Sequence, residues 1–258
     1  MNSRRLRLLA LALPAALLVG CQSGGSASTS TTARSTSTSA AAGTSSTTAG
    51  TTPTAALATP VRVQLIGDSI TQGDFYRPAL RQLLADASCD VTFVGTKQET
   101  LASGLEADHS GYGGWTADQL ADKVEEWTTE AKPQVVTLQA GTNDFYRGQD
   151  VATTVEDFRR IITTLRKVNP EIRIVVNSTI PGVGIEDQTA ELNTGVLGLV
   201  NELQQSGSPI VVVDQATGFD WHTDTYDEVH PTPAASERMA KRLLDGLKPV
   251  LSTACKAP

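Results

Sequence analysis

The chain contains a stretch that reads Val61-Arg-Val-Gln-Leu-Ile-Gly-Asp-Ser-Ile-Thr71. Residues 61–66 are mostly β-branched or apolar and are followed by Gly67, which predicts a buried strand that ends in a turn. Ser69 then lies where the chain passes from this strand into a helix, and backbone N–H groups at such a place favour developing negative charge. Taken alone, residues 67–71 are typical both of a nucleophile at this kind of turn and of a serine that caps a helix.

The rest of the folded part repeats the alternation of strand and helix. Four more apolar segments are predicted to be strands, at 91–95, 134–139, 172–176 and 210–213. Helical stripes of apolar residues lie between them or after them, at 78–87, from a Thr116 capping box to Pro133, and at 155–165, 192–203 and 234–247. This pattern predicts an α/β protein, a three-layer α/β/α sandwich around a five-stranded parallel sheet of flavodoxin-like order. Ligands of such sheets bind beyond the carboxyl ends of the strands, so we expect the functional residues directly after strands.

The first 20 residues have the pattern of an export signal. Three arginines precede an apolar run, residues 8–19, which is only ~18 Å long as a helix and therefore too short to cross a bilayer. Basic, apolar and then small residues are typical of a secretory signal peptide. The run ends at Cys21 in a sequence that resembles the lipobox of bacterial lipoproteins, whose cysteine is lipidated. The alternative is an ordinary secreted protein in which Cys21 is incidental.

Residues 21–60 are predicted to be a lipid-anchored cysteine followed by a disordered linker. Ser, Thr, Ala and Gly fill 34 of the 39 positions from 22 to 60, too little apolar surface to offset chain entropy. The remaining residues, 61–258, are expected to form one catalytic domain. The protein is therefore predicted to be extracytoplasmic and attached to a bacterial membrane only through its N-terminal lipid.

Charge and cysteine usage limit the possible partners. The formal charge of −7 argues against nucleic acid, which requires a basic face. With Cys21 assigned to the anchor, Cys89 and Cys255 remain as a pair that an exported domain could join in a disulfide, the alternative being two separate thiols. The chain has no Cys-x-x-Cys and no His-Glu-x-x-His pattern, and we expect neither a metal nor another cofactor.

Three further blocks follow predicted strands or precede the last helix. His109-Ser-Gly-Tyr-Gly-Gly-Trp115 has three glycines, and its Gly114 could present an N–H to a substrate oxygen, although the block taken alone favours a flexible turn. In Gly141-Thr-Asn-Asp144, the Asn143 side chain is either an oxyanion donor or part of an Asn-Asp turn. Asp227-Glu-Val-His230 can hold a carboxylate against an imidazole, a spacing that also occurs by chance.

Together, in this order, the four blocks resemble those of the SGNH (GDSL-type) hydrolase family. The resemblance implies that Ser69 is the nucleophile, that His230 is its base and that Asp227 orients the imidazole. It also implies an oxyanion hole formed by the backbone N–H groups of Ser69 and Gly114 and by the side chain of Asn143.

The segments 93–95, 111–116 and 227–231 are similar to carbohydrate esterase family 3, a branch that includes acetylxylan esterases. The chain departs from this branch at Glu228, where glycine is usual, and a carboxylate there either acts on the imidazole or points into water. A second departure, Thr232-Pro233 instead of the usual Asn, leaves the start of the last helix open.

The resemblance implies an exported serine esterase that acts through an acyl-enzyme and deacetylates carbohydrate. Two alternatives remain open at the level of sequence. One is a lysophospholipase or thioesterase on the same fold, and the other is a wall-binding module without catalytic activity.

Overall fold

The computed structural model describes residues 57–204, 209–251 and 254–255. The predicted signal peptide, Cys21 and most of the predicted linker lie outside these residues. Leu57 packs against the core, and the Ala58 carbonyl accepts a hydrogen bond of 2.9 Å from Gln134 Nε2. Contacts with the folded domain thus begin ahead of the predicted boundary at residue 61.

A parallel sheet forms the centre of the domain. Its strands are β1 (Val61–Gly67), β2 (Val91–Val94), β3 (Ser110–Gly111), β4 (Val135–Gln139), β5 (Arg173–Asn177) and β6 (Ile210–Val213). The main path runs β2-β1-β4-β5-β6, and every paired strand is parallel to its neighbour. The five predicted strands and the flavodoxin-like order are confirmed.

The short strand β3 was not expected. Strands β2 and β3 pair with the same side of β1. Residues 61–64 pair with β2, and Ile66 and Gly67 then pair with β3. A two-residue strand made of serine and glycine has no apolar pattern that could predict it. Its consequence is positional, because it brings the glycine-rich block against the end of β1.

The helices cover both faces of this sheet. They are α1 (Ser69–Gln72), α2 (Tyr76–Asp86), α3 (Ala117–Ala121), α4 (Val124–Ala131), α5 (Thr142–Tyr146), α6 (Val151–Val168), α7 (Glu186–Gln204), α8 (Trp221–Asp224) and α9 (Pro233–Leu251). Successive side chains of a strand point to opposite faces of the sheet. In β1, Val63 and Leu65 pack with α2 and α9 on one face, whereas Ile66 packs with α3, α4, α6 and α7 on the other. The three-layer prediction is confirmed.

Helices α5 and α8 were not predicted, and two of the predicted helical segments need comment. The segment after Thr116 is two helices, α3 and α4, rather than one, and the predicted capping box with Gln119 is present at the first of them. Helix α7 continues through Gly195, where a side chain would collide with Val155 of α6. Glycine weakens this helix but allows it to pack closely on its neighbour.

The C-terminal end is tied to the start of β2. Cys89 and Cys255 form a disulfide, as predicted, and Asp90 N donates to the Ala254 carbonyl at 2.7 Å. Within the described residues, no helix is both long and apolar enough to span a membrane.

Candidate active site

Ser69 lies at the carboxyl end of β1, as the first residue of α1. Asp68 caps this helix, because its Oδ1 accepts the Ile70 N–H at 2.9 Å. Gly67 is required before it, since a side chain there would collide with Thr71 Oγ1 and the Gln139 carbonyl. The N–H of Ser69 has no intrahelical acceptor at this position and is available to an anion.

The structure brings Ser69, His230 and Asp227 together. His230 Nε2 lies 2.8 Å from Ser69 Oγ, although the two residues are 161 positions apart. The other ring nitrogen, Nδ1, lies 2.7 Å from Asp227 Oδ2, and Asp227 Oδ1 accepts the backbone N–H of His230 at 2.7 Å. This geometry fits one tautomer, in which Nδ1–H donates to the carboxylate and Nε2 accepts from the hydroxyl.

The same hydrogen bonds stabilise the ionised form of Asp227. Partial burial works in the opposite direction, but donation from the backbone and the ring of His230 holds the pKa of Asp227 below its ordinary value. The carboxylate is therefore charged at neutral pH and can stabilise a protonated imidazole.

Glu228 stands between these two groups in sequence and has a left-handed backbone, with φ of +71°. A left-handed residue explains why the similar branch usually has glycine at this position. The Glu228 side chain is exposed, and in the described part of the chain it makes no hydrogen bond with His230, while its carbonyl accepts the Val183 N–H at 3.1 Å. The structure therefore favours the interpretation that the Glu228 carboxylate points into water over the one in which it acts on the imidazole.

The segment Thr232-Pro233 starts α9 in an ordinary way. Thr232 Oγ1 accepts the Ala235 N–H at 3.3 Å, and Pro233 is the first helical residue, where its missing N–H has no consequence. The helix begins one residue before the predicted start at 234.

The glycine-rich block is held against α1. Tyr112 N donates to the Gly67 carbonyl at 2.9 Å, and Gly113 N donates to Gln72 Oε1 at 2.6 Å. Gly114 has a positive φ of +77°, and its own N–H makes no hydrogen bond within the described chain. This N–H therefore has no acceptor in the described chain, and its role as an oxyanion donor remains a prediction.

Asn143 of α5 and Arg147, the residue directly after this helix, both bond to the glycine-rich block. Asn143 Nδ2 donates to the Trp115 carbonyl at 2.9 Å, and Arg147 Nη2 donates to the Gly114 carbonyl at 2.5 Å. One proton of the Asn143 amide remains for a substrate oxygen. The role of Arg147 was missed by sequence reasoning, although its spacing of four residues from Asn143 on a helix was a usable signal.

Two buried carboxylates flank these elements. Burial raises the pKa of Asp68 to about 7, and burial also raises the pKa of Asp144 to about 6. Asp144 accepts the Ala117 N–H at 3.0 and 3.1 Å and so ties α5 to the start of α3. Asp68 lies directly after β1 and Asp144 lies in the first turn of α5, and each carboxylate supports a neighbouring segment of the site.

Aromatic side chains surround the imidazole. Ring centroids of Phe75 and His230 are 5.6 Å apart, and those of Tyr226 and His230 are 6.0 Å apart. Tyr226 is 63% exposed, an unusual state for a large aromatic ring. Neither residue belongs to a recognisable block, and only the structure shows them at the site.

The other two histidines lie outside the proposed chemistry. His109 is buried, its Nδ1 accepts the Gly111 N–H at 2.9 Å, and desolvation together with the nearby cations Arg77 and Lys97 lowers its pKa to about 3. The ring is therefore neutral and supports the glycine-rich block. His222 is exposed and stacks on Trp221, with ring centroids 3.6 Å apart. Among residues 57–204, 209–251 and 254–255, no group of three His, Cys, Asp or Glu side chains could hold a metal ion.

A serine, an imidazole and a carboxylate in hydrogen-bonded series, at the carboxyl edge of a parallel sheet, define the class of serine hydrolases. The chain belongs to the GDSL-like Lipase/Acylhydrolase family, whose model matches residues 65–238. It is a carboxylic ester hydrolase with the SGNH fold, as the sequence predicted. No curated protein matches the chain.

Solved structures agree with this assignment. The chain is 26% identical to an acetyl esterase mutant crystallised with acetate ion, with a TM-score of 0.69, and the match covers 74% of this chain and 98% of that one. A carbohydrate esterase of family 3 from Talaromyces cellulolyticus is 27% identical, with a TM-score of 0.69 and the same coverage of 74% and 98%. A family 3 carbohydrate esterase from Clostridium thermocellum, 24% identical with a TM-score of 0.68 and coverage of 76% and 99%, shares the fold.

Proposed function

We propose that the protein is an exported serine esterase that removes acetyl groups from carbohydrate through an acyl-enzyme on Ser69. The observation that supports this most directly is the distance of 2.8 Å between Ser69 Oγ and His230 Nε2. A hydroxyl hydrogen-bonded to a neutral imidazole is an activated nucleophile, and the third group, Asp227, orients the base.

The proposed reaction has two halves. His230 Nε2 takes the proton of Ser69 while Oγ bonds to the ester carbonyl carbon, and the protonated imidazole then donates this proton to the departing alcohol. Water repeats the sequence, giving a proton to His230, releasing the carboxylic acid and restoring the Ser69 hydroxyl. Asp227 keeps its negative charge throughout and stabilises the imidazolium.

Three donors are proposed for the negative oxygen of the tetrahedral intermediates. They are the N–H of Ser69, the N–H of Gly114 and the Asn143 amide proton that is not bonded to Trp115. Asn143 is held by its bond to Trp115 and the Gly114 peptide by its bond to Arg147, so both donors are positioned before the charge develops.

Two comparisons support an acetyl group on carbohydrate. Among the solved structures above 25% identity are an acetyl esterase with bound acetate and a family 3 carbohydrate esterase. The chain is also poor in aromatic residues, at 5%, which disfavours a lipase that docks on bilayers.

Export and lipid attachment are part of the same proposal. Arginines followed by a short apolar run and Cys21 support a lipoprotein signal, and a disulfide between Cys89 and Cys255 suits an oxidising compartment. A Cys21→Ala variant should move from the membrane fraction to the soluble fraction of a cell lysate. Equal membrane association of both proteins would contradict the anchor.

Hydrolysis of acetyl and octanoyl esters by matched variants tests the catalytic proposal. Ser69→Ala should lose nearly all activity, whereas Ser103→Ala, an exposed serine on a loop, should retain it. Activity that survives in Ser69→Ala would overturn the acyl-enzyme, and an inactive wild type would favour the binding module. A preference for octanoyl over acetyl esters would favour the lysophospholipase or thioesterase instead.

A further inference from the structure

A depression of ≈ 390 Å³ lies beside the proposed base. Phe75 and Tyr226 form part of its wall, together with three prolines, and the carboxylates of Asp74 and Glu237 lie at it. The two aromatic residues are the same ones whose rings lie about 6 Å from the His230 ring, at 5.6 and 6.0 Å. The depression therefore lies against the two aromatic rings that flank the imidazole.

Its position relative to His230 determines which part of an ester it can receive. The imidazole must donate its proton to the departing alcohol, so the alcohol lies on the side of His230 and the acyl group on the side of the oxyanion donors. A group that touches Phe75 and Tyr226 next to the imidazole is for this reason the alcohol part of the substrate.

The chemistry of the wall suits a sugar ring. A pyranose has flat apolar C–H faces, which pack on aromatic rings, and hydroxyls, which donate to carboxylates. Both rings are accessible, since Tyr226 is 63% exposed and Phe75 is half-buried. The charged residues of the wall, Asp74 and Glu237, are both acidic and disfavour an anionic ligand.

We propose that this depression is a leaving-group subsite that binds the neutral sugar ring of an acetylated carbohydrate, with Tyr226 and Phe75 as its stacking surface. The inference rests on the proposed esterase function and adds to it the residues that select the alcohol. Tyr226 is the specificity-determining residue, because its ring is the more exposed of the two.

The test compares kcat/KM for a monoacetylated methyl pyranoside with kcat/KM for ethyl acetate, which has no ring. Tyr226→Ala should lower the value for the pyranoside about tenfold more than the value for ethyl acetate, an effect typical of one lost aromatic contact. Tyr226→Phe should restore the ratio, because the ring is kept. Tyr146→Ala is the matched control, since Tyr146 is also exposed but does not line the depression, and it should leave the ratio unchanged.

Two results for the variants would overturn the subsite. One is that Tyr226→Ala lowers kcat/KM for the pyranoside and for ethyl acetate in equal proportion. The other is that Tyr226→Phe has a ratio of the two kcat/KM values as low as that of Tyr226→Ala. A wild type that hydrolyses the pyranoside no better than ethyl acetate would also overturn it, while Ser69-dependent hydrolysis of ethyl acetate would leave the esterase intact. Activity that survives in Ser69→Ala would instead contradict the esterase itself.

Discussion

At the scale of single residues, Glu228 shows how a site tolerates local strain. A left-handed backbone at a residue with a side chain costs roughly 1–2 kcal/mol, and here it allows the turn that places Asp227 against His230. We expect Glu228→Gly to raise the free energy of unfolding by about 1 kcal/mol, because glycine adopts this conformation without strain. Urea unfolding measures this gain in the free energy of unfolding, with Glu228→Ala as the control because alanine keeps a Cβ. Equal stability of the glycine and alanine variants would contradict the presence of backbone strain at Glu228.

His109 gives a prediction about acid stability. Burial lowers its folded pKa to about 3, below the ordinary value near 6.5, so in acid the unfolded chain binds a proton that the folded chain does not. Its contribution to stability is complete above about pH 6.5 and is lost as the pH falls towards 3. His109→Asn keeps an acceptor for the Gly111 N–H but does not titrate in this range.

We therefore expect His109→Asn to lose less stability than the wild type between about pH 6.5 and pH 4, as measured by urea unfolding at several pH values. Asn201→Ala, at an exposed position without a titratable group, should follow the wild type. The raised pKa of Asp68 affects stability in the opposite direction, because its contribution to the free energy of unfolding weakens as the pH rises from about 4 to about 7. Asp68 is present in all three proteins, so this effect cancels in the comparison. Parallel curves for all three would contradict the assignment of a neutral His109.

Asn143 and Arg147 are predicted to differ in their effect on rate. Asn143→Ala removes a proposed oxyanion donor and should lower kcat by about 10²–10³, whereas Arg147→Ala only releases the Gly114 carbonyl and should lower kcat by roughly tenfold. Steady-state hydrolysis of phenyl acetate measures both, with the exposed Asn201→Ala as the control. A change in KM alone would exclude an oxyanion role for Asn143.

Sequence reasoning proposed site residues that belong to short blocks, namely Ser69, Gly114, Asn143, Asp227 and His230, and the structure brings Ser69, Asp227 and His230 into one hydrogen-bonded series. It missed Gln72, Arg147, Phe75 and Tyr226, because each acts through a contact with a distant segment and has no pattern of its own. The sequence also left Glu228 undecided, since a φ angle can be observed only in the folded chain.

At the scale of elements, Arg77 is the residue that holds α1 in place. Its buried guanidinium donates to the Thr71 carbonyl at 2.5 Å and to the Gln72 carbonyl at 2.9 Å, at the end of the helix that begins with Ser69, and it pairs with Glu99 at 2.6 Å. Four carbonyls at a helix end otherwise lack partners. Arg77 thus fixes the helix that begins with Ser69, the proposed nucleophile.

We expect Arg77→Met to lower the free energy of unfolding by about 3 kcal/mol, because it leaves buried carbonyls and Glu99 without their partner. Arg81→Met, on the same helix but only partly buried, should lower it by about 1 kcal/mol or less. Thermal and urea unfolding measure both variants. Equal losses would show that Arg77 acts as an ordinary surface cation.

The elements themselves were predictable where the apolar pattern was strong. Residues 210–213 are all apolar and β-branched, and β6 has the predicted bounds. The pattern failed at β3, which is too short to have one, and at residues 122–123, where one helical stripe runs across two helices. In both places tertiary packing, rather than local preference, decides the structure.

At the scale of the whole molecule, the disulfide joins residues 166 positions apart and so closes most of the catalytic domain. A loop of that length restricts the unfolded chain strongly, and we expect its loss to lower stability by roughly 3–5 kcal/mol. Urea unfolding with and without reductant measures this loss. The Cys89→Ser/Cys255→Ser double variant should have the same free energy of unfolding as the reduced wild type, and the reductant should not change it. A wild type whose free energy of unfolding is the same before and after complete reduction would contradict the stabilising role of the disulfide.

The central claim is that Ser69 is an activated nucleophile, and covalent labelling by a fluorophosphonate tests it most directly. Mass spectrometry of the treated protein should show one adduct, located by peptide mapping on Ser69. Ser69→Ala should not be labelled, His230→Ala should be labelled far more slowly, and Ser103→Ala should be labelled like the wild type. An adduct on another residue, or labelling of the wild type no faster than that of His230→Ala, would contradict the account.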